Sequence, residues 1–194
     1  MPKRPRTEAP GAIHHVVAQG NNRCAIVLDD RDRLSLIRRL AAVGAAALWQ
    51  CHAYCLLDTH LHVLVETPEP NLGRGMQRLL GGYAYAFNRR HGREGHLFAS
   101  PFYSRAVERD EHVITAAVYV VMNPVVAGLC HHPSEWQWGS YRATAEPRAT
   151  FVATDLPLAL LAPDSDTARA RYRALVEQAV ERDRRERSKR QGSG

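Results

Sequence analysis

The chain has no run of about 18 apolar residues, the length an α-helix needs to cross a bilayer. Nor is its basic start, MPKRPRTEAPG, followed by the apolar stretch of about 7 to 15 residues that a secretory signal requires. Both absences lead to the expectation of a soluble, cytoplasmic protein. Cysteine is scarce, with only Cys24, Cys51, Cys55 and Cys130 and no CxxC pair. A disulfide-stapled scaffold is therefore excluded, and reduced, mostly buried thiols are expected. Cys51, His52 and Cys55 stand close together but match no familiar zinc spacing, so both thiols are expected to pack inward. No internal repeat is visible.

What is present is enough apolar residue, 45% of 194, for one sizeable core. Lys and Arg outnumber Asp and Glu by 26 to 20, giving a net charge of +6 with ten His in addition. A polyanionic partner fits that balance, although charge alone does not require one. Residues 1–11 read as a flexible basic arm, 12–145 as the core domain, and 146–194 as an extension with one helix and a basic, disordered tail. Within the core domain, AIHHVVA from Ala12 reads as a strand and Gly20-Asn21-Asn22 as a turn. Leu34, Ile37, Leu40 and Ala41 then recur at helical spacing between Asp32 and about Trp49, with Asp29 and Asp30 available as caps.

Ala53 to Leu57 and His60 to Thr67 read as strands, and Leu72 to about Arg90 as a second helix despite Gly81-Gly82. LFASPFYSRAVE reads as a strand. Asp110 and Glu111 then open an apolar run that Asn123-Pro124 is expected to close, and these end signals favour helix over strand for it. The order β-α-β-β-α-β-α predicts an α+β fold, a ferredoxin-like sandwich of an antiparallel sheet with packed helices.

Three patterns carry chemistry. In HLHVLVE, strand alternation puts His60 and His62 on one face with roughly 7 Å between their Cα atoms, close enough to share an ion, and sends Leu61, Val63 and Val65 to the core. Tyr119 and Asn123 are four apart, so on a helix a phenol and an amide share one face. Two imidazoles and an amide oxygen leave open positions on a divalent ion that could polarise a phosphate. A tyrosine nucleophile suits transfer in which phosphodiester energy is kept for a later attack by a DNA hydroxyl. In YAYAFNRRHGREGHLFASPFYSR, Arg89, Arg90, Arg93 and Arg105 alternate with aromatic residues, a mixture suited to single strands.

Taken together, GNNRCAIVLDDRDR, YCLLDTHLHVLVE, FNRRHGREGHLF, YVVMNPVVAGL and WQWGSYRA resemble the single-tyrosine HUH transposases, and among them the REP-associated tyrosine transposases. The resemblance runs from about Ile13 to Ala145. It implies cleavage of single-stranded DNA beside small hairpins through a 5′-phosphotyrosyl intermediate. It further implies Tyr119 as nucleophile, His60, His62 and Asn123 as ligands of magnesium or manganese, and Arg23, Arg89, Arg90, Arg93 and Arg105 as DNA contacts. Single-stranded or hairpin DNA is the implied partner. A homodimer is left open, and with it whether Tyr119 serves its own subunit or a second one.

Two departures stand out. Ala99-Ser100-Pro101 replaces the family's Gln-Gly-Arg, and Leu57-Asp58-Thr59 replaces an Asn-containing turn. The competing readings are a nucleic-acid-binding module that does not cut, and a metal-dependent phosphodiesterase in which water attacks and Tyr119 only packs.

Overall fold

In the computed structural model, residues 9–100, 102–107 and 111–191 are described. Most of the basic arm, Pro101 and the Asp110 cap lie outside them. Four strands, β1 (Ala12–Gln19), β2 (Gln50–Leu56), β3 (His60–Thr67) and β4 (Tyr103–Val107), form one sheet in the order β2-β3-β1-β4. Every neighbouring pair is antiparallel. With α1 (Asp30–Ala46) and α2 (Leu72–His91) between the strands, this is the ferredoxin-like order expected. β4 is shorter than LFASPFYSRAVE, whose start makes only an isolated bridge from Phe98 to Gly20.

The sheet has two apolar faces. Val16 and Ala18 of β1 and Leu61, Val63 and Val65 of β3 pack under α1 and α2, which contribute Leu36, Leu40, Met76, Leu79, Tyr83 and Phe87. On the other face, Ile13, Ala53, Cys55 and Leu64 pack beneath Val113, Ala117 and Val120 of α3 (Glu111–Val126). Cys51 joins the first core and Cys55 the second, so the two thiols lie on opposite faces and cannot share a zinc ion. None of the four cysteines is in a disulfide.

Local chemistry sets the helix ends. Asp29 caps α1 by accepting from the Asp32 amide at 3.0 Å, while the Asp32 carboxylate accepts from the Leu28 amide at 3.0 Å. α1 stops at Ala46 because Leu48 takes a left-handed φ of 57°, which turns Trp49 into the core. α2 ends where Gly92 enters the left-handed region at φ 59°.

Pro124 was expected to stop α3 but lies within it. Proline has no N–H to donate to the Val120 carbonyl one turn back. The Asn123 side-chain amide donates to that carbonyl at 3.2 Å and to the Tyr119 carbonyl at 2.8 Å, so the helix runs on to Val126.

The C-terminal extension also differs from the expectation of one helix and a disordered tail. Beyond the short α4 (Tyr141–Ala145) come α5 (Asp155–Ala159) and α6 (Ser165–Gln191), and α6 absorbs the charged tail as far as Gln191. Its buried side is an apolar stripe in which Tyr172, Val176 and Val180 pack on Val121, Met122 and Val125 of α3. Its exposed length is stitched by Glu181–Arg185 and Asp183–Arg187 pairs, four residues apart. No helix among the described residues is long and apolar enough to cross a membrane.

Two glycines of α2 should respond oppositely to the same change. A Cβ at Gly75 would stand 2.1 Å from Cζ2 of Trp49, whose indole nitrogen donates to the Asn71 side-chain oxygen and so resists moving. A Cβ at Gly81 meets nothing within 4 Å. Gly75→Ala is expected to cost about 1–3 kcal/mol through overpacking, and Gly81→Ala to add about 0.5–1 kcal/mol by favouring helix. Urea unfolding midpoints at constant m-value check both signs.

Candidate active site

β3 runs between β1 and β2, so its pleat decides what stands beneath α3. His60, His62 and Leu64 share that face, and Leu61, Val63 and Val65 take the other, as the alternation predicts. The His60 and His62 rings meet edge to face with centroids 4.9 Å apart. Tyr119 projects from α3 beside them, its ring 6.1 Å from that of His62 and 55% exposed, so the phenol is open to solvent.

The sequence reading missed a third imidazole. β1 pairs Val17 with His62 and Gln19 with His60, which places His15 on the same face, one pleat further along. The Nε2 of His15 lies 3.0 Å from Nδ1 of His62, and its ring is 5.5 Å from Tyr119. The neighbouring His14 points to the opposite face. Alternation alone could have separated the two histidines, but only the register with β3 says which one joins the site.

Electrostatics keep these imidazoles neutral. Burial, followed by the neighbouring His60 and His15, lowers His62 to about 3. Burial lowers His60 as well, and burial together with Arg105 across the strand pair lowers His15. Neutral rings keep the lone pairs that metal ligation needs. Asn123 uses its amide nitrogen within α3, which leaves the side-chain oxygen as the atom able to face an ion. Among the described residues no three His, Cys, Asp or Glu side chains form a metal-holding group. Two neutral imidazoles and one amide oxygen nevertheless fit an ion that must keep positions open for a phosphate.

The turn that departs from the family pattern is firmly held. The Asp58 carbonyl accepts from Ile26 at 2.7 Å, the Thr59 carbonyl accepts from Gly20 at 2.8 Å, and the Asp58 carboxylate pairs with Arg33. The Thr59 hydroxyl stands 2.8 Å from Nδ1 of His60.

The five arginines expected to touch DNA separate in space. Arg105 lies exposed on β4 and lines, with His15, Tyr103, His112 and Tyr119, a cleft of about 540 Å³ between β4 and α3. Arg23 is exposed in the turn after β1 at a left-handed φ of 57°. Arg93 lies over the Phe87 ring at 5.7 Å. Arg89 lines a cleft with Arg31, Arg39 and Tyr85 on α1 and α2, across the sheet from Tyr119. Arg90 is engaged within the fold, paired with Asp29 and with Asp32, whose 3% exposure makes it a buried carboxylate.

No family model and no curated protein matches the sequence. Solved structures do match. A REP-associated tyrosine transposase bound to a REP hairpin superposes with a TM-score of 0.64 at 15% identity, over 80% of this chain and 96% of that one. The fold is that of a REP-associated tyrosine transposase. A candidate transposase from Deinococcus radiodurans R1 aligns at 13% identity with a TM-score of 0.44, over 66% of this chain and 98% of that one. Within this transposase fold, the strand pair β1 and β3 and the helix α3 bring His15, His60, His62 and Tyr119 together.

Arg90 gives a prediction with a definite pH sign. Its hydrogen bond, then the Asp32 amide, holds the Asp29 carboxyl well below the usual carboxylate range. A carboxylate lowered in the folded state contributes stability that is present above its unfolded value of about 4 and lost as pH falls below it. Arg90→Ala is expected to lower Tm at neutral pH, chiefly by leaving buried Asp32 with His91 as its remaining ion-pair partner. The gap in Tm from wild type should then narrow below about pH 4. A fall in DNA affinity with Tm unchanged would instead return Arg90 to the DNA interface.

Proposed function

We propose that this chain is a single-tyrosine HUH transposase of the REP-associated kind, which cuts and rejoins single-stranded DNA beside a hairpin with Tyr119 as nucleophile. The observation that carries this reading is an exposed phenol standing beside paired, neutral imidazoles on one strand face. The transposase fold supports it, and the solved relative holds a REP hairpin.

In this reading the strand to be cut lies in the cleft between β4 and α3. Tyr103, 63% exposed on the wall formed by β4, offers a face for an unpaired base. Arg105 beside it offers a guanidinium to the backbone phosphate. The Tyr119 oxygen attacks phosphorus as the P–O3′ bond breaks, which leaves a 5′-phosphotyrosine and a 3′ hydroxyl. The phenol loses a proton and the departing 3′ oxygen gains one. A DNA 3′ hydroxyl later attacks the phosphotyrosine, re-forming a phosphodiester and releasing Tyr119. His60, His62 and Asn123 would hold a magnesium or manganese ion. When bound, that ion supplies charge stabilisation to the phosphate oxygens.

Purified protein incubated with labelled single-stranded DNA carrying a hairpin from around its own gene, with manganese, is expected to give a covalent protein-DNA band on a denaturing gel. Tyr119→Phe should abolish that band. Arg105→Ala should keep it but slow its appearance on the order of tenfold at low DNA concentration, as the loss of a charged hydrogen bond would. Cleavage without an adduct that survives Tyr119→Phe would make water the nucleophile. Tight binding with no cleavage would make the chain a binding module.

A further inference from the structure

His15 contacts both halves of the site, the strand histidines and the tyrosine, and the proposed chemistry gives it no role. Its ring and that of His62 lie at 12° with centroids 5.2 Å apart and an N···N separation of 3.0 Å. Rings that nearly coplanar and that far apart meet edge to edge, which is the geometry of an in-line N–H···N bond. The direction of this bond decides whether His62 can ligate a metal. A neutral imidazole has one N–H and one lone pair. If His62 accepted at Nδ1, its proton would sit on Nε2 and block ligation there. If Nδ1 donates to His15, Nε2 keeps its lone pair.

The same logic applies one pleat away. The Nδ1 of His60 lies 2.8 Å from the Thr59 hydroxyl, and an N–H donated to that oxygen leaves Nε2 of His60 free. Each strand histidine therefore has its own orienting group, one on β1 and one in the turn before β3, and both engage the same ring atom. His15 also meets Tyr119 edge-on at 77°, so the ring that orients His62 is in contact with the phenol.

We propose that His15 and Thr59 are positioning residues which hold His62 and His60 in the Nδ1–H tautomer, so that both present Nε2 to one divalent cation. The proposal rests on the metal-assisted reading above. Partners of this kind fix the tautomer and orientation of metal-bound histidine, and losing one weakens metal binding by about 10- to 100-fold.

The test uses the metal-free full chain. Mn²⁺ is titrated into wild type, His15→Phe, His15→Gln and Thr59→Val, and free Mn²⁺ is followed by electron paramagnetic resonance. In parallel, long-range ¹H–¹⁵N correlation spectra report the His62 and His60 tautomers without any metal. His15→Phe keeps a ring against Tyr119 but removes the acceptor. It should bind Mn²⁺ about 10- to 100-fold more weakly, with an unchanged Tm and a His62 ring that now mixes tautomers. His15→Gln restores an acceptor oxygen and should recover part of the affinity, and Thr59→Val should loosen the His60 tautomer in the same way. Wild-type affinity and a single unchanged tautomer in His15→Phe would overturn the role given to His15 while leaving the metal site standing. Failure of wild type to bind Mn²⁺ would overturn the metal reading and this inference together. A wild-type His62 protonated on Nε2 would overturn this inference alone.

Discussion

The candidate site depends on the period-two pleat of one interior strand. β3 has a neighbour on each edge, so its register is fixed twice, by β1 and by β2. Its odd-numbered residues complete the core under α1 and α2, and its even-numbered residues face α3. A slip of one residue would exchange the two sets, burying two imidazoles under α1 and α2 and turning three aliphatic side chains toward α3. The burial that stabilises Leu61, Val63 and Val65 is thus the same constraint that presents His60 and His62, and the site cannot be lost by slippage without losing the core.

Tyr119, the proposed nucleophile, has a different foundation. α3 rests on the sheet through Val113, Ala117 and Val120, and its far side is covered by α6 through Val121, Met122 and Val125. Arg187 of α6 donates to the Val125 and Val126 carbonyls in the last turn of α3, the first of which also accepts from the Gly128 amide. A helix held on two sides can carry one exposed aromatic residue in a fixed place. Tyr119 is that residue, and the extension after Ala145 is therefore part of what positions it.

How much could be read from the sequence varied with the range of the interaction involved. The alternation in HLHVLVE and the four-residue spacing of Tyr119 and Asn123 are local, and the structure places both as the pattern implied. His15 was hidden because its relevance is a cross-strand fact, visible only once β1 and β3 are in register. Pro124 misled for a similar reason. The rule that proline ends a helix assumes an unanswered carbonyl, and here the preceding side chain answers it. The charged tail read as disorder because its composition is highly charged, yet its charges alternate at helical spacing and its apolar stripe has α3 to cover.

Basic residues show the same distinction most sharply. FNRRHGREGH is a basic stretch of the core domain interleaved with aromatic residues, the pattern that points to Arg89, Arg90 and Arg93 as DNA contacts. That stretch begins at the C-terminal turn of α2, where basic side chains complement the helix dipole and where the acidic cap of α1 lies within reach. Part of its charge is consequently used to fasten two helices on the side of the sheet away from Tyr119. Arg105, flanked by Ser104 and Ala106, has no such acidic neighbour on its strand and stands beside His15 in the cleft that Tyr119 lines. The sheet face from which a side chain emerges decides whether it stands beside Tyr119, so under the proposed chemistry an isolated arginine on an edge strand counts for more than a run of them at a helix end.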